Sequence, residues 1–343
     1  MTKNINNYTT EYVTLGHPDR LADYLAALII DDVNSTDQWK GHAAVEVMLT
    51  SDTAIFGGEV TTSINLSDEY LREKTAQAFK EAGYIPRQGW NADKEHPDYI
   101  TFEDVLSGKY KIESHMTKQS PDIAKVTKSG SCFNDKGIFF GSFGKSSLAK
   151  KAKQYAQDIG DYLFKKSLTS NKLGSDIKVI TTINEKTKKP QVKCFSIPRL
   201  SSSFRKHGVL ADTGLTGRKT AVNIFDDGDI RTAKLNGGGS MVKPFNAADL
   251  LLNLYARDLA KYLSKRFYRG KNVTVALSCD IGDKLPTVDW VTVNGKCDDT
   301  AASLAEEKSE EATVAFLVEK YRLFEPGVFA KMVKSNFLEV SND

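Results

Sequence analysis

Residues 43–66, "AAVEVMLTSDTAIFGGEVTTSINL", leave little local freedom. β-Branched and apolar residues crowd the run, and Ser51-Asp52 and Gly57-Gly58 interrupt it, so the pattern predicts two paired strands. A sheet with one apolar face has to be covered, and helices are the natural cover. Upstream, Leu21, Tyr24, Leu25, Leu28, Ile29 and Val33 recur at helical spacing, with Pro18 suited to a first turn. Downstream, "DEYLREKTAQAFKEAG" is an amphipathic helix with Gly83 as its stop. The alternation continues without a tandem repeat. "SLAKKAKQYAQDIGDYLFKKSL" reads as a helix and "SDIKVITTINEKTKKPQVKCFSI" as a hairpin turning at Glu185 to Pro190. "DLLLNLYARDLAKYLSKRF" reads as a long apolar helix, "NVTVALSCDI" and "TVDWVTVNG" as strands, and "SEEATVAFLVEKY" as a last helix before a short tail. The fold class is therefore mixed α/β.

The totals exclude several functions. A chain of 343 residues can bury the cores of two or three compact units. Its net charge of +3 gives no bulk electrostatic case for nucleic acid or a membrane surface. No apolar run reaches the roughly 18–20 residues of a bilayer span. The polar start, "MTKNINNYTTEY", lacks a signal peptide's apolar stretch. Cys132, Cys194, Cys279 and Cys297 form no CxxC pair and suit a reducing cytoplasm, which is the expected location. Five histidines show no HExxH spacing, so any metal used is expected to prefer oxygen ligands.

His-Pro-Asp occurs twice. At His17 to Asp19 it stands where a glycine turn enters an amphipathic helix, whose unpaired N–H groups and positive dipole suit an anion. At His96 to Asp98 it lies in a polar loop with no strong helix after it and reads as a surface turn. Two glycine-rich breaks, "ADTGLTGRK" and "LNGGGSMVK", carry basic residues, which suggests phosphate handling. Each signal has a plain alternative: Arg218 and Lys219 as a solvated loop, Glu46 as an outward strand residue, Asp135 as a turn cap. "GGGSMVK" also lacks the GK[ST] ending of a P-loop.

In order, however, "GHPDRLAD", "VEVMLTSDTAIFGGEVTTS", "KQSPDI", "NDKGIFFGSF", "SDIKV", "ADTGLTGRK", "NGGGSMVK" followed by Asp249, and "ALSCDIGDKLPT" resemble the S-adenosylmethionine synthetases, or methionine adenosyltransferases. The matching stretches run from about residue 11 to 335. The resemblance implies three related α/β units about a pseudo-threefold axis, placed at 1–115, 116–200 and 201–343, with strands partly exchanged between them. It implies a homodimer, with a tetramer possible, and active sites between subunits.

It also implies a reaction: methionine sulfur attacks the ribose C5′ of ATP and expels triphosphate, which is then hydrolysed to pyrophosphate and phosphate. By resemblance, His17 stabilises the ribose–triphosphate oxygen as the bond breaks. Arg20, Lys178, Arg218, Lys219 and Lys243 meet the phosphates. Asp19 and Asp249 hold Mg2+, and Glu46 matches a K+ site. Glu59, Gln119, Asp135 and Asp212 match the methionine pocket; Asp176, Phe204 and Ile281 match the nucleoside site. The chain also departs from the family. Arg20 replaces a lysine, Ala247 a second phosphate-binding lysine, and Asn236 and Leu15 a histidine and a glutamate. The middle unit is trimmed after "VKCFSI" and a C-terminal segment is lacking. The other readings are a catalytically weak nucleotide-binding paralogue or regulatory subunit, and a tripolyphosphatase.

Overall fold

The computed structural model describes residues 7–89, 99–132, 137–143, 148–184, 186–196, 206–219 and 242–335. Three sheets form the frame. The first orders its strands β4-β3-β2-β8: β2 (His42–Leu49) and β3 (Thr53–Thr61) are the expected hairpin, β4 (Lys111–Ser114) pairs parallel to β3, and β8 (Gly214–Leu215) pairs with β2. The second is β1-β6-β7: β1 (Asn7–Val13), β6 (Ile177–Asn184) and β7 (Pro190–Ser196). The third is β11-β10-β9-β5: β5 (Gly137–Phe143), β9 (Val273–Cys279), β10 (Thr287–Val293) and β11 (Lys296–Cys297).

Each sheet is backed by one long helix: α1 (Pro18–Asp37) on the first, α5 (Leu148–Ser167) on the second, α6 (Ala248–Arg266) on the third. Shorter helices fill the periphery: α2 (Asp68–Glu81), α3 (Phe102–Leu106), α4 (Pro121–Lys128), α7 (Asp299–Ser309), α8 (Val314–Lys320) and α9 (Val328–Lys334). The expected mixed α/β class is the one observed. All three sheets join distant segments: Met48 pairs with Leu215, Val13 with Lys178 and Phe143 with Val273.

Helix α1, expected to be amphipathic, is instead buried nearly all round, with Asp19, Arg20, Asp23, Asp31 and Asn34 among its buried residues. It packs on β2, α2 and α9, and its Asp31 accepts the Phe329 and Ala330 amides at 2.8 and 2.9 Å. That carboxylate thereby caps a helix whose own N-cap, Gly327, offers no side chain. The α5–sheet contact is a separate small core of Tyr12, Ala156, Ile177 and Val179, entered where Gly160 leaves room for the Tyr12 ring.

The end of the chain differs from its sequence pattern. Helix α8 begins only at Val314, because the Thr313 hydroxyl takes the Phe316 amide and caps it there. The preceding α7 and following α9 were not expected. Strand β1 was missed too, because half its residues are polar and its pairing partner lies far along the chain.

Candidate active site

The turn before α1 brings His17 to its N-cap, with φ −70° and ψ 133°. Nδ1 accepts the Asp19 amide at 3.2 Å, so the neutral ring carries its proton on Nε2. Burial, then the charges of Lys219 and Lys178, push the His17 pKa down to about 3. At neutral pH the group is an uncharged N–H donor.

Glu11 stands on β1 facing β6. It pairs with Lys219 at 2.8 Å and Lys178 at 3.4 Å, tying a lysine of the 206–219 segment to one on the second sheet. Burial works to raise the Glu11 pKa, but the hydrogen bond and charge of Lys219, and then Lys178, bring it below the usual range. Glu11 is a site residue that sequence reading missed. The run "YTTEYV" has no period-two alternation that would have marked it.

The 206–219 segment is pressed onto α1. Asp19 accepts the Leu215 amide at 3.0 Å and Asp23 the Gly217 amide at 2.8 Å. Arg218 lies 3.7 Å from Asp19. A Cβ at Gly214 would overlap the Pro18 carbonyl, so glycine is what permits this approach. The segment's start is held by His207, whose Nε2 accepts the Asp176 amide at 3.2 Å, and by Tyr84, which fills the space beside Gly208 and donates to the Gly16 carbonyl at 2.9 Å. Burial raises the Asp176 pKa to about 7, with Asp212 and Asp19 adding and Lys178 opposing. Asp19, Asp176 and Asp212 thus feel one another across one space with Lys178, Lys219 and Arg218.

Other expected residues have different neighbours. Arg20 is buried; its guanidinium donates to the carbonyls of Val13 (2.8 Å), Val333 and Lys334 and sits 5.5 Å from the Tyr12 ring. The expected phosphate contact is corrected here: those donors are spent joining α1 to α9. Lys243 reaches Glu46 at 2.6 Å, and Glu46 also accepts the Thr216 hydroxyl. The two expected binding residues, for phosphate and for a monovalent cation, thus stand paired with each other. Glu59 lies on β3, bridged to Thr117, two residues from buried Gln119. Asp249 opens α6 beside Asn246, whose side chain holds the Ser131 carbonyl at 3.0 Å. Exposed Ile281 adjoins Gly282, whose amide donates to Cys132. Asp135, Phe204, Asn236 and the second His-Pro-Asp triplet lie outside the described residues.

Register puts Ala44, Glu46, Met48, Ile55, Gly57 and Glu59 on one face of the first sheet. Helices α1 and α2 cover the other face. Met48 is 39% exposed and Glu46 is open, so no described element covers this side.

The buried ionisable groups make a stability prediction. His17, His42 and His207, with pKa values near 3, 4 and 3, refuse protons that the unfolded chain takes up below about 6.5. Their stabilisation is complete above that pH and is lost as pH falls. Asp31 and Asp176, raised to about 6 and about 7, bind protons when folded that the unfolded chain releases above about 4, so their effect has the opposite sign. Between pH 4 and 6, three protons oppose two, a net loss of about 1.4 kcal/mol per unit of acidification. Above about pH 7 the histidine and aspartate contributions nearly cancel and the curve flattens. Denaturant midpoints should rise with pH and level off between about pH 7 and 7.5, and Asp176→Asn should steepen the rise below pH 7; a wild-type midpoint still climbing at pH 8 contradicts this.

Residues 6–103 match the N-terminal domain of S-adenosylmethionine synthetase. The S-adenosylmethionine synthase of Akkermansia muciniphila is 35% identical over 118 residues, 34% of this chain and 26% of that one. That of Acholeplasma laidlawii is 35% identical over 138 residues, 39% and 32% of the two chains. These matches therefore span about a quarter to a third of those relatives. The Mycoplasmopsis pulmonis enzyme of the same name is 26% identical over 327 residues, 82% of this chain and 79% of that one. In fold, an unusual S-adenosylmethionine synthetase from Campylobacter jejuni superposes with a TM-score of 0.75 at 24% identity, covering 96% of this chain and 93% of the other.

Proposed function

We propose that this chain, a compact and divergent relative of the S-adenosylmethionine synthetases, is a methionine adenosyltransferase: it makes S-adenosylmethionine from ATP and L-methionine and hydrolyses the triphosphate. One observation carries the reading: a neutral histidine N–H at the end of α1 faces two lysines clamped by one carboxylate, Glu11.

Thioether sulfur is a neutral and adequate nucleophile, so no side chain has to activate it. Catalysis then reduces to alignment and to charge growing on the leaving group. Alignment alone supplies up to roughly 7–11 kcal/mol in well-oriented systems. His17 donates Nε2–H to the oxygen that leaves C5′, and its low pKa keeps it a donor without a competing charge. Lys178, Lys219 and Arg218 receive the phosphates, Arg218 able to bridge two oxygens. Asp212 and Asp176 hold the polar ends of methionine and nucleoside.

Four carboxyls, Glu11, Asp19, Asp176 and Asp212, stand against three cations here, so a triphosphate needs added positive charge to enter. An oxygen-preferring divalent ion fits that requirement. Asp19 and Asp249 would hold such an ion, since their carboxylate oxygens are the donors magnesium prefers. When bound, it neutralises the polyphosphate.

Potassium does not fit. The Lys243 ammonium already lies on Glu46. Replacing K+ with a bulky organic cation should change the rate less than about twofold, whereas Lys243→Met should create a K+ dependence; a strong wild-type requirement in steady-state assays refutes this.

A homodimer through the uncovered face of the first sheet belongs to the reading. That face carries Glu46 and Glu59 together with exposed Met48. Light scattering of wild type and Met48→Asp tests it.

Incubation with ATP, methionine and magnesium, followed by chromatography, tests the activity. Methionine-dependent S-adenosylmethionine with pyrophosphate and phosphate supports it. Nucleotide binding without turnover supports the weak paralogue, and hydrolysis of added triphosphate alone supports a tripolyphosphatase. Glu11→Gln should release the two lysines and lower kcat about tenfold with little change in methionine KM. An unchanged kcat removes Glu11 from the site.

A further inference from the structure

The outer side of α6, away from the third sheet, meets α7 and α8 around a cavity of about 610 Å³. That size falls within the range of small-molecule sites. Tyr255 and Tyr321, both almost fully buried, belong to its lining, and the Tyr255 hydroxyl is fixed by the Lys308 carbonyl and the Ser309 hydroxyl, each at 3.2 Å. The depression is therefore walled by side chains held in place.

Its charge is unusual for this protein. Lys261, Lys265, Arg266, Lys308 and Lys320 line it with a single carboxylate, Asp258. Asp258 is engaged twice, by the Lys320 ammonium at 2.7 Å and the Tyr321 hydroxyl at 3.0 Å. The lining thus carries a formal excess of four positive charges, more than the net +3 of the whole chain.

Several of these cations rest on aromatic rings. Lys308 and Arg266 stand 5.8 and 5.9 Å from the same Tyr262 ring, and Lys320 5.6 Å from Tyr255. A ring face attracts a cation without cancelling its charge, so the mutual repulsion of the group persists. Several like charges around one concave, partly apolar space focus the field inward. Because those ring faces are already occupied by cations, the cavity is suited to charge more than to stacking.

We infer that this cavity is a second anion site, separate from the His17 cluster, which takes a compact ligand carrying two or more phosphoryl groups. Two lysines on one turn of α6 and one at the end of α7 approach it from different elements, as a branched or multi-phosphoryl anion requires. The inference does not depend on the proposed synthetase activity.

Calorimetric titration of the intact protein with inorganic pyrophosphate, without magnesium or nucleotide, tests it. The expected wild-type result includes a binding event that Lys265→Gln and Lys308→Gln each weaken at least about tenfold, while Lys308→Arg retains it. Lys219→Met, in the His17 cluster, should leave that event in place. Circular dichroism and a denaturant midpoint establish that each variant is folded. Pyrophosphate binding unaffected by both glutamine variants, or abolished by Lys219→Met alone, overturns the inference. Equal binding of sulfate at the same ionic strength overturns the multi-phosphoryl preference.

Discussion

His17→Ala is expected to slow formation of the sulfonium product about 10²- to 10³-fold, the usual cost of removing one preorganised donor from a developing anion. The mechanism is specific to the tautomer. The Asp19 amide occupies Nδ1 and leaves Nε2–H as the ring's donor. ATP affinity should fall much less, because Lys178, Lys219 and Arg218 remain. Rapid-quench measurement of a single turnover separates the two effects. His17→Asn, whose amide can present an N–H, should recover part of the lost rate. If the bond-forming step is unchanged in His17→Ala, the leaving oxygen is stabilised elsewhere.

Gly141→Ala should destabilise the protein by about 3 kcal/mol, at the upper end for overpacking, or prevent folding outright. Gly141 lies in β5, and a Cβ there would overlap the backbone of Ala256 and Arg257 in α6. Backbone cannot rotate aside as a long side chain can, so strand and helix would have to separate. The same contact carries the expected side effect: α6 starts at Ala248 and holds Asp249 in its first turn, so any folded variant should also bind nucleotide less well. Urea titration reads the first effect. A midpoint within experimental error of wild type would mean that β5 and α6 are not in contact at this point.

Much of the frame was legible because it is written in local periodicity. The β2–β3 hairpin, α1 and α6 each bury a face whose pattern is visible within twenty residues. The site was only partly legible, because half of its logic is non-local. Nothing near Glu11 signals that Lys178 and Lys219 will meet it. Arg20, in the position of a phosphate-binding lysine, is turned away by carbonyls more than 300 residues downstream. Lys243 and Glu46 look like separate binding residues in sequence, yet they neutralise each other once β2 and the 242–247 segment are adjacent. Ala247 is the buried N-cap of α6, a position with no room visible from the sequence for the lysine that the family pattern would place there.

The pairing of β1 with β6 carries a consequence for biosynthesis. Glu11 leaves the ribosome early, but Ile180, its partner across the ladder, and neighbouring Lys178 emerge only about 170 residues later. At roughly 5–20 residues per second, that is on the order of ten seconds or more of translation. Throughout that interval the first strand is an open edge, and a nascent polypeptide cannot acquire its phosphate-handling chemistry before its middle third has been made.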